Sequence, residues 1–126
     1  MIMLDTNVLI GLAERGGTAD TCFRKWVDDG GRIGVSAVVW TEFLCGPLSP
    51  ESYLCADSLL EWKEPFLPED ARLSSHLFNR SGRRRGTLID CMIAATAIRC
   101  GAQLATFNTA DFAPLVPHGL NLAVMA

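Results

Sequence analysis

The chain has 126 residues, of which 49% are hydrophobic and 20% charged, with a formal net charge of -3. This is the length of one domain with its own core, and the composition excludes intrinsic disorder. No apolar run reaches the roughly 18 residues of a membrane-spanning helix, and no basic segment precedes the apolar part of MIMLDTNVLI, so a cytoplasmic protein with no membrane partner is expected.

Ile2, Met3 and Leu4 form a short apolar run ended by Asp5, the pattern of a strand buried on both faces with an acid at its carboxyl end. Thr6 and Asn7 are placed to cap a helix that begins near Val8 and stops at Gly16 and Gly17. A second helix is predicted over residues 18–29, with Cys22, Phe23, Trp26 and Val27 on its apolar face. Residues 32–35 read as the next strand, followed by Ser36 as the cap of a helix that carries Glu42 and ends before Gly46 and Pro47. Ser49 and Pro50 open a helix predicted through Trp62, and Pro68, Glu69 and Asp70 open another towards Phe78. On these helices Glu61, Glu64, Glu69 and Asp70 read as solvated faces and caps. SGRRRG, residues 81–86, reads as a basic loop before a helix over residues 88–99 whose first turn holds Asp90. Residues 103–106 form the next predicted strand, 108–112 a short turn or helix, and 120–124 a last strand.

Strands alternating with helices predict an α/β fold: one domain over residues 1–126, with a parallel sheet of about four to five strands flanked by helices on both faces. In such folds ligands bind outside the carboxyl ends of the strands. Charge is unevenly placed along the chain. Arg72, Arg80, Arg83, Arg84, Arg85 and Arg99 fall in one segment with Asp90 as its only acid, so the remainder is strongly acidic. The five cysteines show no CxxC and no zinc spacing, and read as reduced thiols.

The strand-end rule gathers four acids. Asp5 ends one strand, Glu42 follows another by under two helical turns, Asp90 opens a helix and Asp111 follows the strand at 103–106. Converging carboxylates suit a hard divalent cation such as Mg²⁺ or Mn²⁺, which keeps several waters. The segments LDTNVLI, SAVVWTEF, LIDCMIAATAI and TFNTADF, in this order and spanning essentially the whole chain, resemble the PIN-domain family of metal-dependent ribonucleases. The D-T-N-V-L opening and the D-x-x-I-A-A-T-A helix look most like the small bacterial toxins of VapC type in toxin-antitoxin pairs.

That resemblance implies a Mg²⁺- or Mn²⁺-dependent endoribonuclease that hydrolyses RNA phosphodiesters to 5′-phosphate and 3′-hydroxyl ends. Asp5 and Asp90 map onto the metal ligands and Glu42 onto the third catalytic acid, while the fourth position falls to Asp111 or Asn108. Asn7, Thr106 and Asn108 stand as supporting residues around the ligands. Homodimerisation and a cognate antitoxin that blocks the acidic site are implied as well.

Taken singly, Asp5 reads as a helix cap and Asp90 as a complement to a helix dipole; their joint placement in matching flanks is what points to a site. Arg83, Arg84 and Arg85 are candidates to contact an RNA backbone, or else a solvated loop or a surface for an acidic partner. Trp26, Trp40 and Trp62 read as core residues of helices, and neither His76 nor His118 has a ligand-spaced partner. Two rival readings stand beside the toxin: a housekeeping RNA-processing nuclease with the same site, and a non-catalytic acidic pocket that captures a basic peptide. A phosphoryl-accepting receiver is disfavoured, since Lys25 and Lys63 are the only lysines and both fall in predicted helices.

Overall fold

Short apolar runs become the strands of a single sheet in the computed structural model, which describes residues 1–125. β1 (Ile2–Leu4), β2 (Ile33–Ser36), β3 (Trp62–Glu64), β4 (Gln103–Ala105) and β5 (Asn121–Leu122) lie in the order β3-β2-β1-β4-β5. Every pairing is parallel. All residues of β1 and β2 are buried, so the centre of the sheet is covered on both faces. The cover comes from α1 (Thr6–Gly11), α2 (Thr18–Asp28), α3 (Ala37–Cys45), α4 (Pro50–Leu59), α5 (Pro68–Arg80), α6 (Leu88–Arg99) and α7 (Thr109–Phe112), with a 3-10 helix over Ala113–His118. This is the α/β domain that the alternation of strands and helices predicts.

The strand order sets the position of the site. From β1 the chain builds β2 and β3 on one side, and then α5 and α6 carry it back to β4 on the other. The switch point therefore lies between the carboxyl ends of β1 and β4. Leu4 pairs with Ala105, so Asp5 and Thr106 leave the sheet side by side.

Three local expectations are corrected. Thr6 and Asn7 do not cap the first helix. It starts at Thr6, and Asp5 is the cap, its carboxylate accepting from the Thr6 N–H at 2.8 Å. Val27 is exposed although Ala19, Cys22 and Phe23 of the same helix are buried, because at 100° per residue it falls on the rim of the apolar stripe. Trp62 is not helical: α4 ends at Leu59 and Trp62 opens β3, paired in register with Gly34. A Cβ on Gly34 would lie 2.5 Å from the Trp62 ring, so this strand pairing needs a glycine there, and the Arg32 guanidinium caps the ring at 5.0 Å. Helical periodicity around Trp62 loses to burial of the indole at the sheet edge. Trp26, Trp40 and Trp62 are all partly buried against the core.

A fourth correction concerns charge. Asp70 is fully buried and Glu64 only partly exposed, rather than solvated. Arg99, at the end of α6, grips Asp70 with Nε at 2.6 Å and Nη2 at 3.1 Å, and donates from Nη2 to Glu64 at 2.9 Å. Asp70 also accepts from the Leu67 N–H at 2.9 Å, which closes the first turn of α5. One guanidinium thus ties β3, α5 and α6 together. Arg99→Ala leaves a buried carboxylate unpaired and is expected to cost about 3–5 kcal/mol of stability in urea unfolding. Arg99→Lys, which keeps the charge without the two-pronged grip, should recover part of the loss.

Candidate functional site

The site is built on the end of β1. The Asp5 N–H donates to the Ala105 carbonyl at 2.8 Å, continuing the ladder one residue beyond the strand. Its side chain is buried and bound at both oxygens, Oδ1 by the Thr6 N–H and Oδ2 by the Thr106 hydroxyl at 2.7 Å. Thr106 is itself buried and accepts from the Asn108 N–H at 3.0 Å. Asn7 Oδ1 accepts from the Phe107 N–H at 3.3 Å, so the first turn of α1 is stitched to the segment after β4 by side chains about a hundred positions apart in sequence.

Glu42 reaches this centre from α3, its Oε1 accepting from the Thr6 hydroxyl at 2.7 Å. Ser36 makes that possible by capping α3 through the Val39 N–H at 3.1 Å, which starts the helix directly at the carboxyl end of β2. Asp90 comes from the first turn of α6 and Asp111 from α7. Thr6 is the one residue of this network that the sequence reading left out. Its position between the acid and the amide of D-T-N is the signal that was available.

The electrostatics show that the four acids share one region. Burial pushes the Asp5 carboxyl above its usual range, opposed by its two hydrogen bonds and reinforced by the charges of Glu42 and Asp111. Asp90 is pushed up to about 6, first by burial and then by the charges of Asp5, Asp111 and Glu42. No cation is among the charges that act on either residue. The result is a patch of negative potential, half out of water and without a counterion. Oxygen-only donors of this kind match a hard divalent ion. Among the described residues no three acidic, thiol or imidazole side chains stand close enough to form a ready cage. That spacing suits an ion held by one or two carboxylates and completed by water, as Mg²⁺ is.

The expected supporting residues separate in kind. Asn7 and Thr106 make the hydrogen bonds described, whereas Asn108 caps α7 by position with no side-chain bond to its backbone. Of the three arginines, Arg83 is tied down, its guanidinium over the Phe78 ring at 5.2 Å and hydrogen-bonded to Asn79, with its backbone at a left-handed φ of 54°. Arg84 and Arg85 are exposed on the loop that leads into α6.

The family model for the PIN domain matches residues 2–114. The fold is also that of several solved structures. VapBC2 from Rickettsia felis bound to a promoter DNA fragment aligns with a TM-score of 0.76 and 22% identity over 98% of both chains. A toxin-antitoxin complex from Klebsiella pneumoniae aligns at 0.76 and 23% over 100% of this chain and 98% of that one. DNA-bound VapBC from Salmonella typhimurium aligns at 0.75 and 24% over 99% and 98%. At these identities the likeness is one of fold. No curated protein matches the sequence.

Asp90 titrates higher in the folded chain than the ordinary 3.8, so the fold binds its proton more tightly than the unfolded state does. Stability from this group is present at low pH and lost as pH rises through about 6. In EDTA, Asp90→Asn is therefore expected to melt above the wild type at pH 7.5, by up to about 2–3 kcal/mol of stability. The gap should close as pH falls towards 4, which a melting series in matched buffers measures. A gap that does not depend on pH contradicts the uncompensated cluster.

Proposed function

The chain belongs to the PIN-domain family, and from that premise we propose that it is a Mg²⁺- or Mn²⁺-dependent endoribonuclease acting as the toxin of a toxin-antitoxin pair. The observation that carries the reading is the convergence of Asp5, Glu42, Asp90 and Asp111, from four separate elements, with no cation acting on Asp5 or Asp90. Four uncompensated acids destabilise a fold that has no use for them.

Asp5 and Asp90, the two whose charged forms the fold disfavours, are the proposed metal ligands, and Asp111 completes the cluster in preference to Asn108 because its charge bears on both. A divalent ion bound there neutralises charge on the phosphate and makes a water acidic enough to attack near neutral pH. Glu42, fixed by the Thr6 hydroxyl, is placed to orient that water and take its proton. Thr106 is a positioning residue: its hydroxyl holds Oδ2 of Asp5 and so sets which way the carboxylate faces. Arg84 and Arg85 supply contacts to the RNA backbone from the loop before Asp90.

Two features support the protein partners. An apolar cavity of about 150 Å³ opens between α1, α3 and α4, lined by Leu9, Ile10, Phe43, Pro47, Leu48 and Ala56, and fits an apolar segment of an antitoxin. Leu44, Tyr53 and Leu54 on α3 and α4 are exposed, as a homodimer surface requires. The structural neighbours include toxin-antitoxin complexes, which agrees with this assignment.

Purified protein should cleave a structured RNA pool with Mg²⁺ or Mn²⁺ and not with EDTA. The Asp5→Ala, Asp90→Ala double variant should be inactive and should lose the rise in melting temperature that Mn²⁺ gives the wild type. Full cleavage by Asp5→Ala refutes the site. Thr106→Val should remain folded and lose about 10- to 100-fold in activity. Expression without an antitoxin should arrest growth; harmless expression of an active enzyme assigns it to RNA processing instead.

A further inference from the structure

Phe107 follows Thr106 at the carboxyl end of β4 and is 45% exposed, whereas Phe23, Phe43 and Phe112 are buried. Its backbone is held on both sides, with its own N–H on Asn7 and the next N–H on Thr106. The ring rests on the end of α1. Its Cε2 lies 3.6 Å from where Gly11 would carry a Cβ, and the same glycine lets α2 close in at Ala19, 2.9 Å from that point. One edge of the ring is seated and the rest meets solvent. Nothing in the core requires a phenyl here, since the backbone bonds are available to any residue but proline, and exposing it forgoes part of the roughly 1.5–3 kcal/mol that burial of such a side chain returns.

The ring stands one residue from Thr106, whose hydroxyl binds the Asp5 carboxylate. A polymer with a phosphodiester at Asp5 brings a flanking base to the residue next door. The acid cluster repels an incoming phosphate backbone, and Asp5 and Asp90 feel no neighbouring cation to offset it. Affinity at that point has to come from a contact indifferent to charge. A flat apolar face offers one, because every nucleobase has a π-face and stacking needs no hydrogen-bond code.

We propose that Phe107 is a base-stacking residue that takes the face of an unpaired nucleobase beside the scissile phosphodiester, so that the substrate is single-stranded RNA or a loop. Splayed-out bases are available in those contexts and not inside a helix. This rests on the ribonuclease reading above and adds to it the conformation of RNA that the site selects.

The test compares Phe107→Ala, Phe107→Leu and Phe107→Trp with wild type on an unstructured oligoribonucleotide. Each is also examined in the Asp90→Asn background for quenching of 2-aminopurine placed next to the cleavage point. Phe107→Ala should raise KM about 5- to 100-fold with kcat within about threefold, and should lose the quenching. Phe107→Trp should keep both, and Phe107→Leu should behave like Phe107→Ala. If Phe107→Ala cleaves with unchanged KM and quenching, or Phe107→Leu rescues both, stacking is overturned and the nuclease stands. A loss of kcat with a lowered melting temperature makes the residue structural and overturns it equally. Wild type that neither cleaves nor binds RNA overturns the nuclease reading and the stacking role with it.

Discussion

The carboxylate of Asp5 is where the backbone, the helices and the charge of this protein meet. One oxygen closes the first turn of α1, the other takes the Thr106 hydroxyl, and the group as a whole lies among the charges of Glu42 and Asp111. Two fixed hydrogen bonds hold a buried anion in one orientation against the cost of its desolvation. All of this depends on strand register. Leu4 faces Ala105 across β1 and β4, and a slip by one residue would turn Asp5 to the opposite face of the sheet, away from Thr106.

The chain uses buried acids in two opposite ways. Asp70 is as deeply buried as any residue, yet Arg99 grips both of its oxygens and the Leu67 N–H takes a further bond, so its charge is answered. Asp90 is only half-buried, has no cation beside it, and titrates near 6. The first arrangement is architecture, joining β3, α5 and α6. The second leaves electrostatic work undone, which is the condition a bound cation relieves. The arginine-rich segment divides accordingly: Arg99 is committed to the ion pair and Arg83 to Phe78 and Asn79, so Arg84 and Arg85 are what the loop presents to solvent.

Sequence patterning made most of this layout legible, and its failures have physical causes. Apolar triplets and glycine stops place β1, α2, α5 and α6 to within a residue or two, and the strand-end rule brings four acids to one edge. Trp62 misleads because helical spacing carries no information about a glycine 28 residues earlier whose missing Cβ makes room for the indole. Asp70 and Glu64 look solvated for a similar reason: their partner, Arg99, is about 30 positions away. Thr6 passes for a cap residue because its hydroxyl bond to Glu42 spans 36 positions. Local signals thus locate the elements, and side-chain partners across the fold decide what the polar residues do.

The same long separations tie the site to the whole fold. Thr106 and Asp5 are 101 positions apart, Phe107 and Asn7 are 100, and Asp90 and Asp111 arrive on two further elements. No fragment of the chain short of the completed sheet brings these groups together, so the acid cluster exists only in the native state. Its repulsion is therefore a cost borne by the native state alone, and any ligand that neutralises it binds the native state alone. By mass action such a ligand stabilises the entire domain rather than one loop. Stability and a cation-binding function are then two readings of one quantity, the uncompensated charge at the carboxyl ends of β1 and β4.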